Sequence, residues 1–142
     1  MNLFIDTSSL IKLYHKEYET DKIIDFISNN KINSIYLSSL TKIEFLSAVW
    51  KKIRTKEIDK NDGIILIKYF ETDKNNYRWL SINNEIIDLS KILLEKYGLN
   101  GLRTLDSIQF ATALSLKSDD CINVVSDKLL KELFVLENLK VF

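Results

Sequence analysis

Five short apolar runs alternate with longer segments whose apolar residues recur at helical spacing, and this alternation leaves few folds open. Residues 2–6 (NLFID) read as a short buried strand that ends in an acid. The runs 34–38 (SIYLS), 77–81 (YRWLS), 121–125 (CINVV) and 139–141 read as the other strands. Between them the spacing predicts helices over about 7–14, 19–29, 59–74, 83–97, 103–117 and 127–134. A long helix capped by Ser38 or Ser39 is expected to run to about Thr55, with Ile43, Leu46, Trp50 and Ile53 as its apolar stripe. Gly98 and Gly101 mark a break. Strands and helices in alternation predict an α/β fold whose parallel sheet is covered on both faces.

Length and composition set limits on chemistry. The 142 residues, 46% apolar and 28% charged, suit one globular domain spanning 1–142. No apolar run is long enough to span a bilayer and no signal peptide is visible, so a cytoplasmic protein is expected. The single cysteine, Cys121, cannot form an internal disulfide. One cysteine and one histidine, His15, cannot build a usual structural zinc site, nor the histidine pair of a metal-free ribonuclease. Hydrolytic chemistry would then fall to carboxylates, which suit hard cations such as magnesium. Twenty basic and 20 acidic side chains cancel, so any attraction for nucleic acid must be local.

Four acids stand out by position. Asp6 and Asp127 each follow an apolar strand, at the sheet edge where ligands gather in open α/β folds. Each also suits a helix N-cap, and Asp127 alone reads more readily as a cap than as a ligand. Glu44 lies off the expected stripe, beside Ser47, Ala48 and Lys51, where a solvated surface glutamate is the plainer reading. Asp106 sits in LRTLDSIQFATALSL, a helix apolar almost all round, where an ionised carboxylate needs a partner or a metal. Arg103, one turn earlier, is one such partner and a candidate phosphate contact.

The basic candidates are Lys51, Lys52, Arg54 and Lys56 at the end of the long helix, with Lys42, Lys12, His15 and Lys16. Charge favourable to a helix C-terminus explains the first group without a ligand; as RNA contacts they would supply affinity without sequence choice. Tyr14, Phe45 and Trp50 nearby read as core more readily than as stacking platforms.

Taken in order, strand–Asp–Thr–Ser, T-K-I-E-F-L, L-R-T-L-D-S-I-Q-F-A-T-A-L and V-V-S-D-K-L-L, the chain resembles the PIN-domain nucleases, specifically the VapC-like toxins of type II toxin–antitoxin pairs. The resemblance covers nearly the whole chain. It implies a three-layer α/β/α sandwich with the first strand near the centre of a parallel sheet. It implies a metal-dependent endoribonuclease using Mg2+ or Mn2+, with Asp6, Glu44, Asp106 and Asp127 as the metal-binding acids and Thr7 or Ser8 as the hydroxyl beside the first. It further implies homodimers and a cognate antitoxin whose tail blocks the site. One departure concerns the last motif. Such proteins often carry Thr or Ser two positions before the last acid; here Val125 stands there, and Ser126 directly precedes Asp127. Two roles for Asp127 stay open, a contact to metal through water or a helix cap alone.

Three alternatives share these features. A receiver-like phosphoacceptor domain also needs an acidic pocket at strand ends, but would carry paired acids after the first strand. A catalytically inactive PIN-fold module binding RNA or protein has the same composition. A DNA nuclease could use the same metal centre.

Overall fold

The computed structural model describes residues 1–142. It contains five strands and seven helices, in the order β1 (Asn2–Ile5), α1 (Thr7–Leu10), α2 (Thr20–Asn29), β2 (Ser34–Ser38), α3 (Thr41–Arg54), α4 (Lys60–Asp73), β3 (Arg78–Leu80), α5 (Asn84–Tyr97), α6 (Thr104–Ser115), β4 (Cys121–Val124), α7 (Lys128–Leu136) and β5 (Lys140–Val141). All strand pairs are parallel, in the spatial order β3-β2-β1-β4-β5, so β1 is central as expected. The fold is a three-layer α/β/α sandwich.

Alternation along the strands divides the core into two layers. Leu3 and Ile5 of β1, with Leu37 of β2 and Val124 of β4, face one side and pack with Ile23, Phe45, Val49 and Phe70 of α2–α4. Phe4 of β1 and Cys121 of β4 face the other and pack with Leu93, Phe110, Leu130 and Phe134 of α5–α7. Each layer is pinned by stacked aromatics: Phe45 on Phe70 at 4.1 Å, and Phe110 on Phe134 at 4.7 Å. No helix is long and apolar enough to cross a membrane.

Two glycines have a geometric task. Gly101 adopts φ +99°, a conformation side chains disfavour, and ends the turn before α6. A Cβ at Gly63 would lie 2.5 Å from Ile53 Cδ1, so its absence lets α4 approach α3 closely.

Helix α3 departs from expectation. Its buried face is Thr41, Phe45, Val49 and Lys52, whereas Ile43 and Trp50 of the expected stripe are exposed. Counting apolar residues per face misjudges this helix because Lys52 disqualifies the true one. Within the fold its ammonium meets Glu17 and Glu57, which makes burial of its stem tolerable. Neither Ser38 nor Ser39 caps the helix. Its N-cap is Leu40, without a side-chain bond, and the Ser38 hydroxyl, fully buried at the end of β2, instead accepts from Leu40 N–H at 3.2 Å. Helix α1 also closes early, at Leu10, and continues as a single 3-10 turn over Ile11–Leu13.

Candidate metal centre

Each of the four acids sits at a helix N-terminus. Asp6 is the N-cap of α1, accepting from Ser9 N–H at 2.9 Å, and Asp127 is the N-cap of α7, accepting from Leu130 N–H at 2.7 Å. Glu44 and Asp106 lie in the first turns of α3 and α6. Asp6 and Asp127 thus act as caps, and Glu44 and Asp106 lie where a positive helix end favours negative charge. Asp6 and Asp127 are neighbours across the sheet: β1 pairs with β4, and Asp6 N–H donates to Val124 O at 3.2 Å.

The local hydrogen bonds determine which oxygens face outward. Both Asp6 oxygens are engaged, Oδ1 by Ser9 N–H and Oδ2 by the Ser8 hydroxyl at 2.6 Å. Asp106 Oδ2 faces Arg103 Nε at 3.4 Å, which leaves Oδ1 without a partner. The sequence-level pair with Arg103 thus exists, but it is long and its guanidinium side chain is 82% exposed. Asp127 uses Oδ1 for its cap and has Oδ2 to spare. Glu44, which sequence alone placed on a solvated face, is half-buried. Its Oε1 accepts from Thr7 Oγ1 at 3.0 Å and from Gln109 Nε2 at 2.6 Å, while Oε2 takes no hydrogen bond.

Three of these acids are harder to ionise than usual. Burial pushes Asp6 up most; bonds from Ser8 and Ser9 offset it, and the Asp127 charge adds to it. Burial also raises Glu44, against the bonds from Gln109 and Thr7, with Asp106 and Asp6 adding repulsion. Asp106 is raised by burial, lowered by Arg103 and raised again by Asp127. The repulsion links Asp127 to Asp6 and to Asp106, and Asp106 and Asp6 to Glu44.

Sequence reasoning missed Gln109 and Thr41. Gln109 is 3% exposed, and its Nε2 also lies 3.0 Å from Thr7 Oγ1 and 3.1 Å from Thr41 Oγ1. The available signal was a single amide inside the apolar run SIQFATAL, since a buried amide requires partners. Its Oε1 has none, at a cost of about 1–3 kcal/mol. Ser126 bonds Ser9 Oγ at 2.9 Å, so the hydroxyl of the last motif braces α1, and Val125 is buried in the core.

The donor set is all oxygen, which suits a hard divalent ion. As the side chains stand, no three converge closely enough to cage one.

The basic side chains divide. Lys52 is committed to Glu17 and Glu57, Lys12 to Glu19 at 3.1 Å and Lys16 to Asp21 at 3.0 Å, while Lys42 stands 4.8 Å over the Trp79 ring. Lys51 and Arg54 are exposed and make no ion pair. Lys51 lines a cleft of about 390 Å³ with Ser8, Lys12, Ser126 and Asp127. Tyr14 and Phe45 are packing residues, 5.1 Å apart edge to face, as expected.

A fold of this type with acids at the sheet's carboxyl edge defines a class, and the PIN domain family model matches residues 3–133. The chain belongs to the PIN domain family. No curated protein matches it significantly in sequence. Among solved structures it is similar to FitAcB from Neisseria gonorrhoeae, with TM-score 0.73, 15% identity and 100% of this chain and 96% of that chain covered. It is also similar to VapC20 from Mycobacterium tuberculosis, described as a sarcin–ricin loop cleaving toxin, with TM-score 0.69, 10% identity and coverage of 92% and 94%. A toxin–antitoxin complex from Klebsiella pneumoniae aligns with TM-score 0.61, 15% identity and coverage of 88% and 86%. At these identities the likeness concerns the fold.

Proposed function

We propose that this chain is a single-domain, divalent-metal-dependent endoribonuclease and the toxin of a type II toxin–antitoxin pair. The observation that carries the reading is the placing of four carboxylates at helix N-termini, three of them raised by burial, with Asp127 adding repulsion to Asp6 and Asp106, and Asp106 and Asp6 adding it to Glu44. Such a group is unfavourable until a cation neutralises it. The structural likeness to toxins of characterised toxin–antitoxin pairs supports the biological role.

In this reading Asp6 and Asp106 would hold Mg2+ or Mn2+, Glu44 would hold the ion or the attacking water, and Asp127 would complete the acidic site directly or through water. The ion, when bound, lowers the pKa of a water and polarises the scissile phosphate. Ser8 and Ser9 fix the Asp6 carboxylate, and Ser126 fixes Ser9. Exposed Arg103 orients Asp106 and reaches phosphate, while Lys51 and Arg54 hold the RNA backbone. With no histidine pair to deprotonate a ribose hydroxyl, water is the nucleophile, leaving a 5′-phosphate and a 3′-hydroxyl. A cognate antitoxin covering the acids, a homodimer and a cytoplasmic location complete the proposal.

The test is cleavage of RNA by the purified chain. Activity should require Mg2+ or Mn2+, vanish in excess chelator and be absent in Asp106→Asn while that variant keeps its fold by circular dichroism. Undiminished cleavage under chelation, or by a folded Asp106→Asn, would defeat the metal mechanism. Cleavage of DNA but not RNA would reassign the substrate, and calorimetry showing no Mg2+ site would favour an inactive binding module.

A further inference from the structure

We infer that Gln109 is a positioning residue whose amide clamps Glu44 Oε1, so that Oε2 alone is presented to the ion and the attacking water. The inference rests on the metal-centre reading proposed above.

Geometry carries it. Gln109 Nε2 has two hydrogens and three acceptors, and the shortest contact is to the carboxylate, 2.6 Å against 3.0 and 3.1 Å to the threonine hydroxyls. One hydrogen is thus committed to Glu44, and the other is shared between Thr7 and Thr41. Reversing the amide would set its Oε1 against Glu44 Oε1, two acceptors face to face, so the carboxylate dictates the amide's orientation. The amide in turn dictates the carboxylate's. Thr7 and Gln109 both bond Oε1, and neither touches Oε2.

Position makes the clamp rigid. Gln109 is 3% exposed, so it has no room to follow a wandering partner. It sits on α6, the helix of Asp106, and reaches Thr7, beside Asp6, and Thr41 and Glu44 on α3. One amide therefore ties together three of the elements that carry the acids. Without it, only the Thr7 hydroxyl would hold a glutamate with three rotatable side-chain bonds. Partners of this kind, one shell away from a metal, typically alter metal affinity 10–100-fold.

The experiment is a double-mutant cycle read by Mn2+ titration calorimetry, on the wild type, Gln109→Met, Glu44→Gln and the double variant, with RNA cleavage measured in parallel. Glu44→Gln should weaken Mn2+ binding. Gln109→Met should weaken it about tenfold and lower kcat with KM for RNA unchanged. In the Glu44→Gln background Gln109→Met should have no further effect, because there is no carboxylate left to orient. An equal loss in both backgrounds would show a general packing role and overturn the inference, as would wild-type Mn2+ affinity in folded Gln109→Met. Absence of Mn2+ binding by the wild type would remove the metal reading itself, and the clamp with it. A second measurement needs no variant. The Gln109 side-chain amide resonances of the wild-type protein should shift as Mg2+ saturates the site, and an amide unmoved through saturation would overturn the clamp.

Discussion

Thr7 Oγ1 donates to Glu44 Oε1 at 3.0 Å, joining the turn after the central strand to the first turn of α3. The same hydroxyl meets Thr41 Oγ1 at 3.0 Å and Gln109 Nε2 at 3.0 Å, so one oxygen serves three partners in a buried setting. Thr7→Val keeps the shape and removes that oxygen. The expected cost is about 1–3 kcal/mol, the usual penalty for stranding buried polar partners. Urea denaturation measures it, and an unchanged midpoint would show that the network contributes nothing to stability.

Lys51 and Lys52 are adjacent on α3 and should behave oppositely. Lys51 is exposed beside the cleft and unpaired, so Lys51→Ala should leave stability unchanged. RNA binding should weaken, and the slope of log affinity against log salt should shrink by about 1. Lys52→Ala strands Glu17 and Glu57 and strips a buried stem from the core. Its expected cost is about 2 kcal/mol, below that of a fully buried pair because Glu57 is half exposed. Filter binding at several salt concentrations and thermal melts separate the two. Equal melts for both variants would contradict the assignment.

The metal-free protein should be more stable in mild acid than at neutral pH. Burial raises Asp6, Glu44 and Asp106 above their unfolded values, so folding takes up protons between the unfolded and the folded pKa. The penalty they impose is full above the folded pKa. It fades as pH falls through that value and is gone below the unfolded one. The acids whose values are lowered, Glu19 by Lys12, Glu57 by Lys52, Asp120 by Lys140 and Glu137 by Lys96, lose stabilisation only below the ordinary carboxylate range. Just above the ordinary carboxylate range the raised group therefore dominates. Urea midpoints across that interval should rise toward acid without divalent ions and flatten with millimolar Mg2+. A flat profile without the ion would refute the electrostatic account of the site.

Cys121 is buried at the start of β4, and burial, with Asp119 and Asp120 adding repulsion, pushes its thiol up to about 12. The thiolate is the nucleophile, so iodoacetamide at neutral pH should leave the native protein unmodified and alkylate it fully in urea. Mass spectrometry reads this directly. Rapid alkylation of the native chain would place Cys121 in a mobile strand.

Most of the architecture was legible in the residues. Short apolar runs at 2–6, 34–38 and 121–125 and the helical spacing between them define elements by local pattern, and those elements form within a few residues of expectation. The helix-capping positions of Asp6 and Asp127 were legible too, because an acid between a strand and a helix can accept the helix's free N–H groups. Helix α3 was not. Its buried face depends on Glu17 and Glu57 neutralising Lys52, and no periodicity within α3 contains those partners.

Local pattern, then, determined which segments become strands and helices and where the four acids stand along the chain, because pleat, helical spacing and capping act over only a few residues. Tertiary structure decided which face of α3 turns inward, which carboxylate oxygens stay free and that Gln109 grips Glu44 across 65 residues. Burial and hydrogen bonding between distant segments are set by how the layers close on one another, and only the folded chain has that geometry.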